Sequence, residues 1–336
     1  MNSLKDTSRI IVTGGAGYIG GMVIDRLLEI NPKISIISID LLPPPKERRG
    51  NVSWIQADLA DYKWQDQAQK EGAVDAVVHC AFRIRNAFGK IKAYEKNNRG
   101  ASENVFKFTF DNDIPSLVYL STVSSYGAKK ENIGRLLTEE DSFQEMKNPY
   151  GYQKKLIEED LKKLTEEKKP KTKITILRLN SVTGPKGQSL SSKFGLITFL
   201  KKIFPFVIEL NHHWARQFVH EDDVVEAIIT SLTGNEKRLA TYNIAPEKFL
   251  EVSEIAALLN KKTVKFPVWL VKIVLFVLWP ISFGKLIPPG AVNGLVYPIN
   301  VDGSAIKKDL GFSYKYTSSE ALEGRVGRYK ALETVM

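Results

Sequence analysis

Residues 10–20 have the sequence IIVTGGAGYIG, and the expected architecture of the chain follows from them. A β-branched apolar run stops at glycines spaced three apart, and an apolar-periodic segment follows from Met22. This order is typical of a strand, a tight turn and a helix. We expect Gly14 to permit the turn, Gly17 to let a pyrophosphate approach the backbone, and Gly20 to let the helix pack against its strand. The helix N-terminus would then bind the anion through its free N–H groups.

An acidic residue follows these glycines at an informative distance. A second buried strand is predicted at 34–39 and ends at Asp40, about twenty residues after the glycines, where a carboxylate can accept hydrogen bonds from an adenosine ribose. Its charge would repel a 2′-phosphate, so the sequence favours NAD over NADP. Three basic residues downstream, Lys46, Arg48 and Arg49, leave NADP as the less favoured alternative; a solvated basic loop explains them equally well.

Composition bounds the class of protein. The chain has 336 residues, 43% of them hydrophobic and 26% charged, as in a globular protein of one large or two modest domains. Its net charge of +10 suits nucleic acid, an anionic membrane surface or phosphorylated small molecules. The basic residues form no groove interleaved with aromatic residues, so no nucleic-acid partner is expected. Cys80 stands alone and no apolar signal segment precedes the first strand, so we expect a cytoplasmic protein; no metal site is predicted.

Strands and helices alternate along the first 180 residues. Further strands are predicted at 52–57, 74–81, 116–122 and 173–179, with helices at 91–110 and 149–168. This alternation predicts an α/β fold with a Rossmann-type doubly wound parallel sheet and right-handed crossovers. From Gly184 the alternation weakens, which predicts a smaller C-terminal substrate lobe. We expect an NAD-binding domain with the catalytic residues at 1–180. The substrate-binding lobe is expected at 181–336, with some of its elements returning to the first domain.

Two strand ends offer further contacts to a dinucleotide. Asp58 directly follows the third predicted strand, at the carboxyl edge of the sheet, where its carboxylate could bind an adenine amino group. Ala81 ends the fourth predicted strand, and its small side chain would let the dinucleotide pass close to the sheet.

Candidate catalytic residues lie at the end of the fifth strand and the start of the next helix. Tyr150 and Lys154 are four residues apart, hence on one helix face. A phenol with its ordinary pKa of about 10 is a poor base at neutral pH, but a lysine cation and a positively charged nicotinamide favour the phenolate. Lys154 can also donate a hydrogen bond to the nicotinamide ribose, and the hydroxyl of Thr122 can hold the substrate oxygen that Tyr150 deprotonates. Tyr152 is not matched, because Leu156 stands four residues after it.

The chain resembles the extended short-chain dehydrogenases/reductases of the NAD-dependent epimerase/dehydratase family. Its motifs follow the order of that family between residue 9 and about residue 247. They are Thr13–Gly20, Asp58-Leu59, His79–Ala81, Asn98–Asn104, Leu120–Thr122 with Tyr126-Gly127, Tyr150 with Lys154, Leu177-Arg178 with Gly184-Pro185, and Arg216–His220 with Asp222-Asp223. The remaining C-terminal residues match only loosely.

This resemblance implies specific roles for residues. The catalytic triad would be Thr122, Tyr150 and Lys154. The residues implied to bind NAD are Gly14, Gly17, Tyr18, Ile19, Gly20, Asp40, Asp58, Leu59, Ala81, Asn98, Tyr150 and Lys154. Those implied to bind the substrate are Thr122, Ser181 and Arg216.

The role of Arg216 has two open interpretations. In relatives that act on nucleotide sugars, the matching arginine binds the substrate diphosphate; an ion pair with Asp222 or Asp223 is the equally open alternative. The resemblance also implies a homodimer, because relatives pair through the helices after the fourth and fifth strands.

Departures from the family pattern narrow the reaction. Sugar 4,6-dehydratases have an Asp-Glu pair after the catalytic threonine, because elimination of water needs an additional acid and base; this chain has Val123-Ser124. The glutamate of decarboxylating relatives is also absent. We therefore expect an NAD-dependent epimerase that acts on a nucleotide sugar through a transient keto intermediate. Ser181 replaces a common asparagine and Ala101 a common glycine. They leave open an NAD(P)-dependent dehydrogenase of a lipophilic secondary alcohol, similar to hydroxysteroid dehydrogenases.

One apolar segment has no place in this scheme. Residues 267–280 have the sequence PVWLVKIVLFVLWP, which is apolar on nearly every helical face yet too short for a bilayer, since crossing takes about 20 residues. Three interpretations are open: a buried helix of the lobe, a helix that contacts a membrane surface or a lipid substrate through 268–279, and a dimer contact. The basic net charge favours the second.

Overall fold

The computed structural model of the chain describes residues 8–45, 50–84, 90–190, 197, 199–211, 213–234, 236–282 and 289–335. Lys46, Arg48 and Arg49, on which the NADP alternative rests, lie outside these ranges. The strands are β1 (Arg9–Thr13), β2 (Ser35–Asp40), β3 (Val52–Gln56), β4 (Ala76–His79), β5 (Ser116–Thr122), β6 (Lys173–Leu179), β7 (Ser181–Thr183), β8 (Phe206–Glu209), β9 (Ala215–Arg216), β10 (Phe218–His220), β11 (Leu239–Ile244), β12 (Leu250–Glu251) and β13 (Lys262–Lys265).

The helices are α1 (Tyr18–Ile30), α2 (Lys63–Lys70), α3 (Ile91–Asp111), α4 (Pro149–Lys168), α5 (Pro185–Leu190), α6 (Glu221–Gly234), α7 (Val252–Leu258), α8 (Val268–Ile281), α9 (Ala305–Leu310) and α10 (Ser318–Glu323). Short 3₁₀ segments span Val123–Tyr126, Lys130–Asn132, Pro289–Leu295 and Lys330–Val335, and a π turn spans Phe199–Ile203.

A parallel sheet of seven described strands forms the centre of the fold, in the order β11-β6-β5-β4-β1-β2-β3. Alternate residues of β1 enter two separate hydrophobic cores, Ile10 and Val12 on one face and Ile11 on the other. Both faces are therefore covered, which explains why these strands are nearly continuous in apolar residues. The predicted α/β fold with a doubly wound parallel sheet is confirmed.

The order of the strands indicates where on the sheet a ligand would bind. The chain proceeds from β1 outward to β2 and β3, and then returns to the other side of β1 for β4, β5 and β6. Ligands of such sheets bind at the carboxyl ends of the strands where the order reverses, here β1 and β4. The predicted glycine turn follows β1 directly, so it lies at this point.

The C-terminal half contributes to the large sheet and also forms small ones. β11 extends the large sheet beside β6, although it lies beyond residue 180. The small pairs are β7 with β10, β9 with β12, and β8 with β13. The division of the chain at residue 180 stays a prediction.

Helix α8 lies on the surface, so the interpretation of residues 267–280 as a buried helix is wrong. None of its residues is buried, and Trp269, Phe276 and Ile281 are 64, 73 and 66% exposed. The helix packs mainly against the turn Pro289–Leu295, which is too small to cover a helix that is apolar on every side. Within the described ranges, no helix combines the length and apolar character needed to cross a membrane.

Candidate active site

The turn between β1 and α1 requires glycine at two positions. Gly14 has φ +74°, and a Cβ there would lie 2.8 Å from the backbone nitrogen of Ala81 at the end of β4. A Cβ on Gly20 would overlap the carbonyl oxygen of Gly14. Neither position has room for a side chain, because the backbones of α1, β1 and β4 are in contact there, as the sequence pattern predicts.

Backbone donors at the start of α1 are free to bind an anion. Gly17 precedes the helix and provides no side-chain cap. In the described chain, the N–H groups of Tyr18, Ile19 and Gly20 have no acceptor. These donors and the closely packed glycines fit a dinucleotide pyrophosphate.

Asp40 binds the same turn from the end of β2. One carboxylate oxygen accepts the Ala16 N–H at 3.0 Å, and the other accepts the Leu42 N–H at 2.9 Å. The carboxylate is half-buried at the edge of the turn, in the position from which it was expected to bind a ribose.

The side chain of Tyr18 points away from the turn. Its phenol donates a hydrogen bond to Glu221 at the start of α6, and burial together with that carboxylate raises the pKa of the phenol well above its usual value. Glu221 also accepts the N–H groups of Lys186 and Gly187, at 2.9 and 2.8 Å. Tyr18 therefore links α1 to α5 and α6, and its backbone N–H is the group available to a cofactor.

Asp58 and Leu59 follow β3 in different environments. Asp58 is half-buried, and its carboxylate accepts the Asn97 amide at 3.2 Å and the Ala60 N–H at 2.9 Å. Leu59 is buried in the core, and its carbonyl accepts the amide of Asn104 at 3.0 Å. The structure thus leaves a polar group accessible at Asp58, whereas Leu59 anchors the segment.

Asn98 holds the segment that follows β4. Its amide oxygen accepts the Arg83 N–H at 3.0 Å, and its amide nitrogen donates to the Arg83 carbonyl and to Gln153. In the structure this side chain therefore joins the segment after β4 to α3 and α4. Ala81 lies in the same segment, where its N–H donates to Thr13 at 3.2 Å.

The predicted catalytic residues lie on β5 and on the first turns of α4. Asn148 caps α4 by accepting the N–H of Tyr150 at 3.2 Å, with Pro149 at the first helical position. A Cβ on Gly151 would lie 2.7 Å from the Ser124 carbonyl oxygen. This close approach brings the start of α4 against the segment that follows Thr122.

The Tyr150 phenol is buried and has the Thr122 hydroxyl as a neighbour. Burial raises the pKa of Tyr150, and a hydrogen bond with the Thr122 hydroxyl lowers it. The ammonium of Lys154 donates instead to the Leu120 carbonyl at 2.5 Å and to the Tyr119 hydroxyl at 3.4 Å. The lowering of the Tyr150 pKa by this lysine stays a prediction.

Lys154 is itself strongly perturbed. Burial lowers the pKa of its ammonium to about 7, while Glu158 one turn along α4 opposes that change. The ring of Phe82 lies 4.3 Å from the ammonium and packs edge-on against Tyr150, with ring centroids 5.6 Å apart. Phe82 was not predicted as a site residue; its position directly after the Ala81 strand end was the available signal.

A buried ion pair lies behind these residues and was also missed. Arg178 on β6 donates to Glu158 on α4 at 2.6 Å, and Ser121 on β5 donates to the same carboxylate at 2.7 Å. Arg178 also donates to Tyr126, at 2.6 Å. The pair joins β6 to the helix that carries Tyr150 and Lys154, and Ser121 joins the strand that carries Thr122 to the same carboxylate.

Arg216 has a hydroxyl partner and no carboxylate. Its Nε donates to Ser181 Oγ at 2.6 Å and another guanidinium nitrogen approaches the Gly294 carbonyl at 3.4 Å; burial lowers its pKa to about 10. Among the residues that the structure describes, none forms a salt bridge with it. Asp222 pairs with Arg328, at 3.0 Å.

Asp223 is engaged elsewhere, since it accepts the N–H groups of Lys315 and Tyr316 at 2.9 and 3.1 Å. The interpretation of Arg216 as the ion-pair partner of Asp222 or Asp223 is wrong, because both carboxylates bind C-terminal groups. In the part of the chain that is described, no cluster of three His, Cys, Asp or Glu side chains could hold a metal ion.

Comparison with known proteins identifies a family whose model matches most of the chain. The model of the NAD dependent epimerase/dehydratase family matches residues 10–245. A probable UDP-arabinose 4-epimerase 1 of Oryza sativa subsp. japonica is 26% identical over 289 residues, covering 76% of this chain and 68% of the relative. A dTDP-D-glucose 4,6-dehydratase of Mus musculus is 26% identical over 269 residues, covering 74% and 71%.

A solved structure is similar over nearly the whole length. It is the UDP-glucose-4-epimerase of Stenotrophomonas maltophila with bound NAD and formylated UDP-arabinopyranose. The TM-score is 0.74 at 18% identity, and the match covers 98% of each chain. This similarity shows the fold, including residues 246–336, which the family model leaves unmatched.

Proposed function

Because the chain belongs to the NAD-dependent epimerase/dehydratase family, we propose that it interconverts a nucleotide sugar and its 4-epimer through a transient keto sugar. The observation that carries the substrate class is Arg216, a half-buried guanidinium whose pKa is lowered by burial and which lacks a carboxylate partner in the described chain. A buried cation is costly unless an anion compensates it. A nucleotide diphosphate supplies that anion and suits the planar guanidinium.

NAD is the cofactor of this family, and the residues present fit it. The donors at the start of α1 would hold the pyrophosphate, and Asp40 would bind the adenosine ribose. In this arrangement Asp58 would face the adenine, and Lys154 would face the nicotinamide ribose. When bound, NAD supplies a hydride acceptor at the carboxyl ends of β1 and β4.

Tyr150 and Thr122 would perform the proton transfer. In this scheme the hydroxyl of Thr122 orients the substrate O4, and the phenolate of Tyr150 takes the O4 proton as the hydride leaves C4. In the return step Tyr150 gives the proton back to the keto oxygen, and the hydride returns to the opposite face of C4. The substrate is first oxidised and then reduced, so the cofactor is unchanged over a turnover. Burial raises the pKa of Tyr150, which disfavours the phenolate. The Thr122 hydroxyl, the Lys154 cation and the positively charged nicotinamide would have to offset that effect.

The segment after Thr122 does not provide the additional acid and base that dehydration would need. Val123 is buried, and the N–H of Ser124 donates to the Thr122 hydroxyl oxygen at 3.2 Å, so this segment closes the end of β5 and offers no acid or base. Relatives that act on nucleotide sugars favour this substrate class over a lipophilic alcohol.

The decisive experiment is a product assay with a panel of UDP- and dTDP-sugars. We expect NMR to show the 4-epimer of one sugar, with no net NADH in the absorbance spectrum. NADH formed in proportion to product would identify a dehydrogenase, and a 4-keto-6-deoxy sugar would identify a dehydratase. Failure of every nucleotide sugar to bind would refute the assignment of Arg216.

A homodimer through α3 and α4 is proposed on the resemblance alone. The two helices pack together and are joined by Arg99 and Asp160, whose side chains lie partly at the surface. Among the described residues of α3 and α4, no large apolar side chain is exposed, so the contact would be mainly polar. Light scattering of the purified protein tests it: a monomer at all concentrations would exclude this contact.

A further inference from the structure

Helix α8 presents an apolar surface that no described part of the chain covers. The large apolar side chains of α8 that are more than two-fifths exposed are Trp269, Ile273, Val274, Phe276, Val277, Leu278 and Ile281. Patches of this kind on otherwise ordinary proteins mark interaction sites.

The helix has one attached side and one broad free side. Residues 268, 270, 271, 275 and 279 are the less exposed ones. Four of them, 268, 271, 275 and 279, are spaced three or four apart and therefore form the attached side. Trp269, Ile273 and Phe276 share the free side, by the same spacing. The helix has 14 residues and is thus about 21 Å long, which is too short to cross the hydrocarbon of a bilayer but sufficient to lie along its surface.

The charged residues that flank the helix in the sequence are all of one sign. Between Lys261 and Val301 the sequence contains five lysines and no Asp or Glu. Lys272 is three residues after Trp269 and four before Phe276, so it lies along the border of the free side. One described carboxylate approaches this segment without a close ion pair: Glu209 lies 3.9 Å from the ammonium of Lys265, whose side chain is 81% exposed.

A cavity beside the helix is also lined by positively charged side chains. It has a volume of about 400 Å³ and is lined by Lys147, Lys272, Ile273, Phe276, Gly290 and Asn293. Two ammonium groups and two apolar side chains therefore line one opening, with no carboxylate. This combination suits a ligand with anionic and apolar parts side by side, as at the headgroup boundary of a bilayer.

We propose that α8 docks the protein on an anionic bilayer surface. The helix lies parallel to the membrane plane, with Trp269, Phe276 and Ile273 in the acyl boundary, while Lys272 and Lys147 extend to the lipid phosphates. Attraction of the lysines to anionic lipid adds to the burial of apolar area. A second copy of the chain fits less well, because two α8 helices face to face would bring lysines together without a carboxylate between them.

Docking in this way would place the catalytic edge close to the bilayer. The turn Pro289–Leu295 contacts α8, the carbonyl of Gly294 faces Arg216, and Gly290 packs against the backbone of Lys147. Lys147 is three residues before Tyr150. The surface that meets the membrane is thus continuous with the start of α4.

Vesicle flotation tests the proposal on the full-length protein. We expect binding to phosphatidylcholine vesicles that contain phosphatidylglycerol, loss of binding at high salt, and none to pure phosphatidylcholine. The double substitution W269S and F276S should weaken binding about a hundredfold, because two large apolar side chains no longer enter the acyl boundary. K272E should also weaken it.

Matched controls distinguish the docking face from the rest of the surface. Tyr62 and Leu190 are each 60% exposed and lie outside α8, so Y62S with L190S should leave flotation unchanged. K63E, at a side chain 85% exposed, is the control for K272E. Circular dichroism and NAD binding report whether each variant is folded.

A measurement without substitutions keeps the proposal testable if a variant fails to fold. Brominated lipids in anionic vesicles should quench part of the tryptophan fluorescence of the unaltered protein, since α8 carries two of the five tryptophans. Absence of both flotation and quenching would overturn the proposal. So would equal flotation of the α8 variants and wild type, or lipid-free dimers in light scattering that the α8 substitutions dissociate.

Discussion

The ammonium of Lys154 donates a hydrogen bond to the carbonyl oxygen of Leu120 at 2.5 Å, which ties the first turns of α4 to the strand that ends at Thr122. The side chain is 4% exposed, and burial lowers the pKa of the ammonium to about 7. This lysine therefore changes charge close to neutral pH, while its usual pKa lies well above that.

The first prediction concerns stability against pH. Between about pH 7 and the usual lysine pKa of about 10.5, the unfolded chain holds a proton on Lys154 that the folded protein lacks, so deprotonation favours folding. Relative to K154M, the unfolding free energy of the wild type should rise with pH in this window, by up to about 1.4 kcal/mol per pH unit. Urea unfolding of both proteins across this pH window measures the difference between their unfolding free energies. A difference that does not change with pH would contradict the prediction.

The second prediction concerns the base. Y150F removes the phenolic oxygen that exchanges the substrate proton, and we expect kcat to fall about a thousandfold with NAD affinity little changed. Tyr152 lies in the same helical turn and was not matched with a lysine, so Y152F is the control and should keep most of the activity. Turnover in Y150F close to the wild-type rate would exclude Tyr150 as the base.

The third prediction separates binding from stability at Arg216. R216M should weaken UDP binding about a hundredfold in calorimetry, because the proposed partner of this guanidinium is the diphosphate. It should not lower the melting temperature, because no described carboxylate loses its partner. R328M provides the contrast: it leaves the carboxylate of Asp222 without its arginine, so it should lower the melting temperature and spare UDP binding.

The sequence predicted those features that depend on short segments. The glycines of the turn were predictable because Gly14 and Gly20 meet neighbouring backbone with no room for a Cβ, a requirement visible in their spacing. The position of Thr122 at a strand end, and of Tyr150 at a helix start, followed from the same local patterns. These placements need only a strand, a helix and the rule that parallel strands end at one edge.

Contacts between distant segments could not be predicted in this way. Asp222 pairs with Arg328, 106 residues away, and nothing in the sequence near Arg216 excludes that arginine as the partner instead. The hydrogen bond from Lys154 to Leu120 depends on how closely α4 packs against β5. The exposure of α8 likewise depends on which segments cover it, and an apolar sequence is the same in a core and on a docking surface.

The fourth prediction concerns the choice of dinucleotide. D40N keeps the size of the side chain and removes the charge that would repel a 2′-phosphate. It should weaken NAD binding about tenfold, since Asp40 also holds the turn through the N–H of Ala16, and it should narrow the preference for NAD over NADP. D58N is the control, because Asp58 is proposed to face the adenine and should not alter that preference. An unchanged ratio of NAD to NADP affinity in D40N would exclude Asp40 as the discriminating group.

The fifth prediction concerns the buried pair behind the triad. E158Q leaves the guanidinium of Arg178 without its carboxylate in a buried site, which should cost about 3 to 5 kcal/mol of unfolding free energy. E159Q, at the exposed neighbouring position, should cost little. If the pair acts as a unit, R178M should destabilise the E158Q protein less than it destabilises the wild type, because the partner charge is already lost. Additive losses would contradict that coupling, and the junction of β5, β6 and α4 would then be held by the surrounding apolar packing.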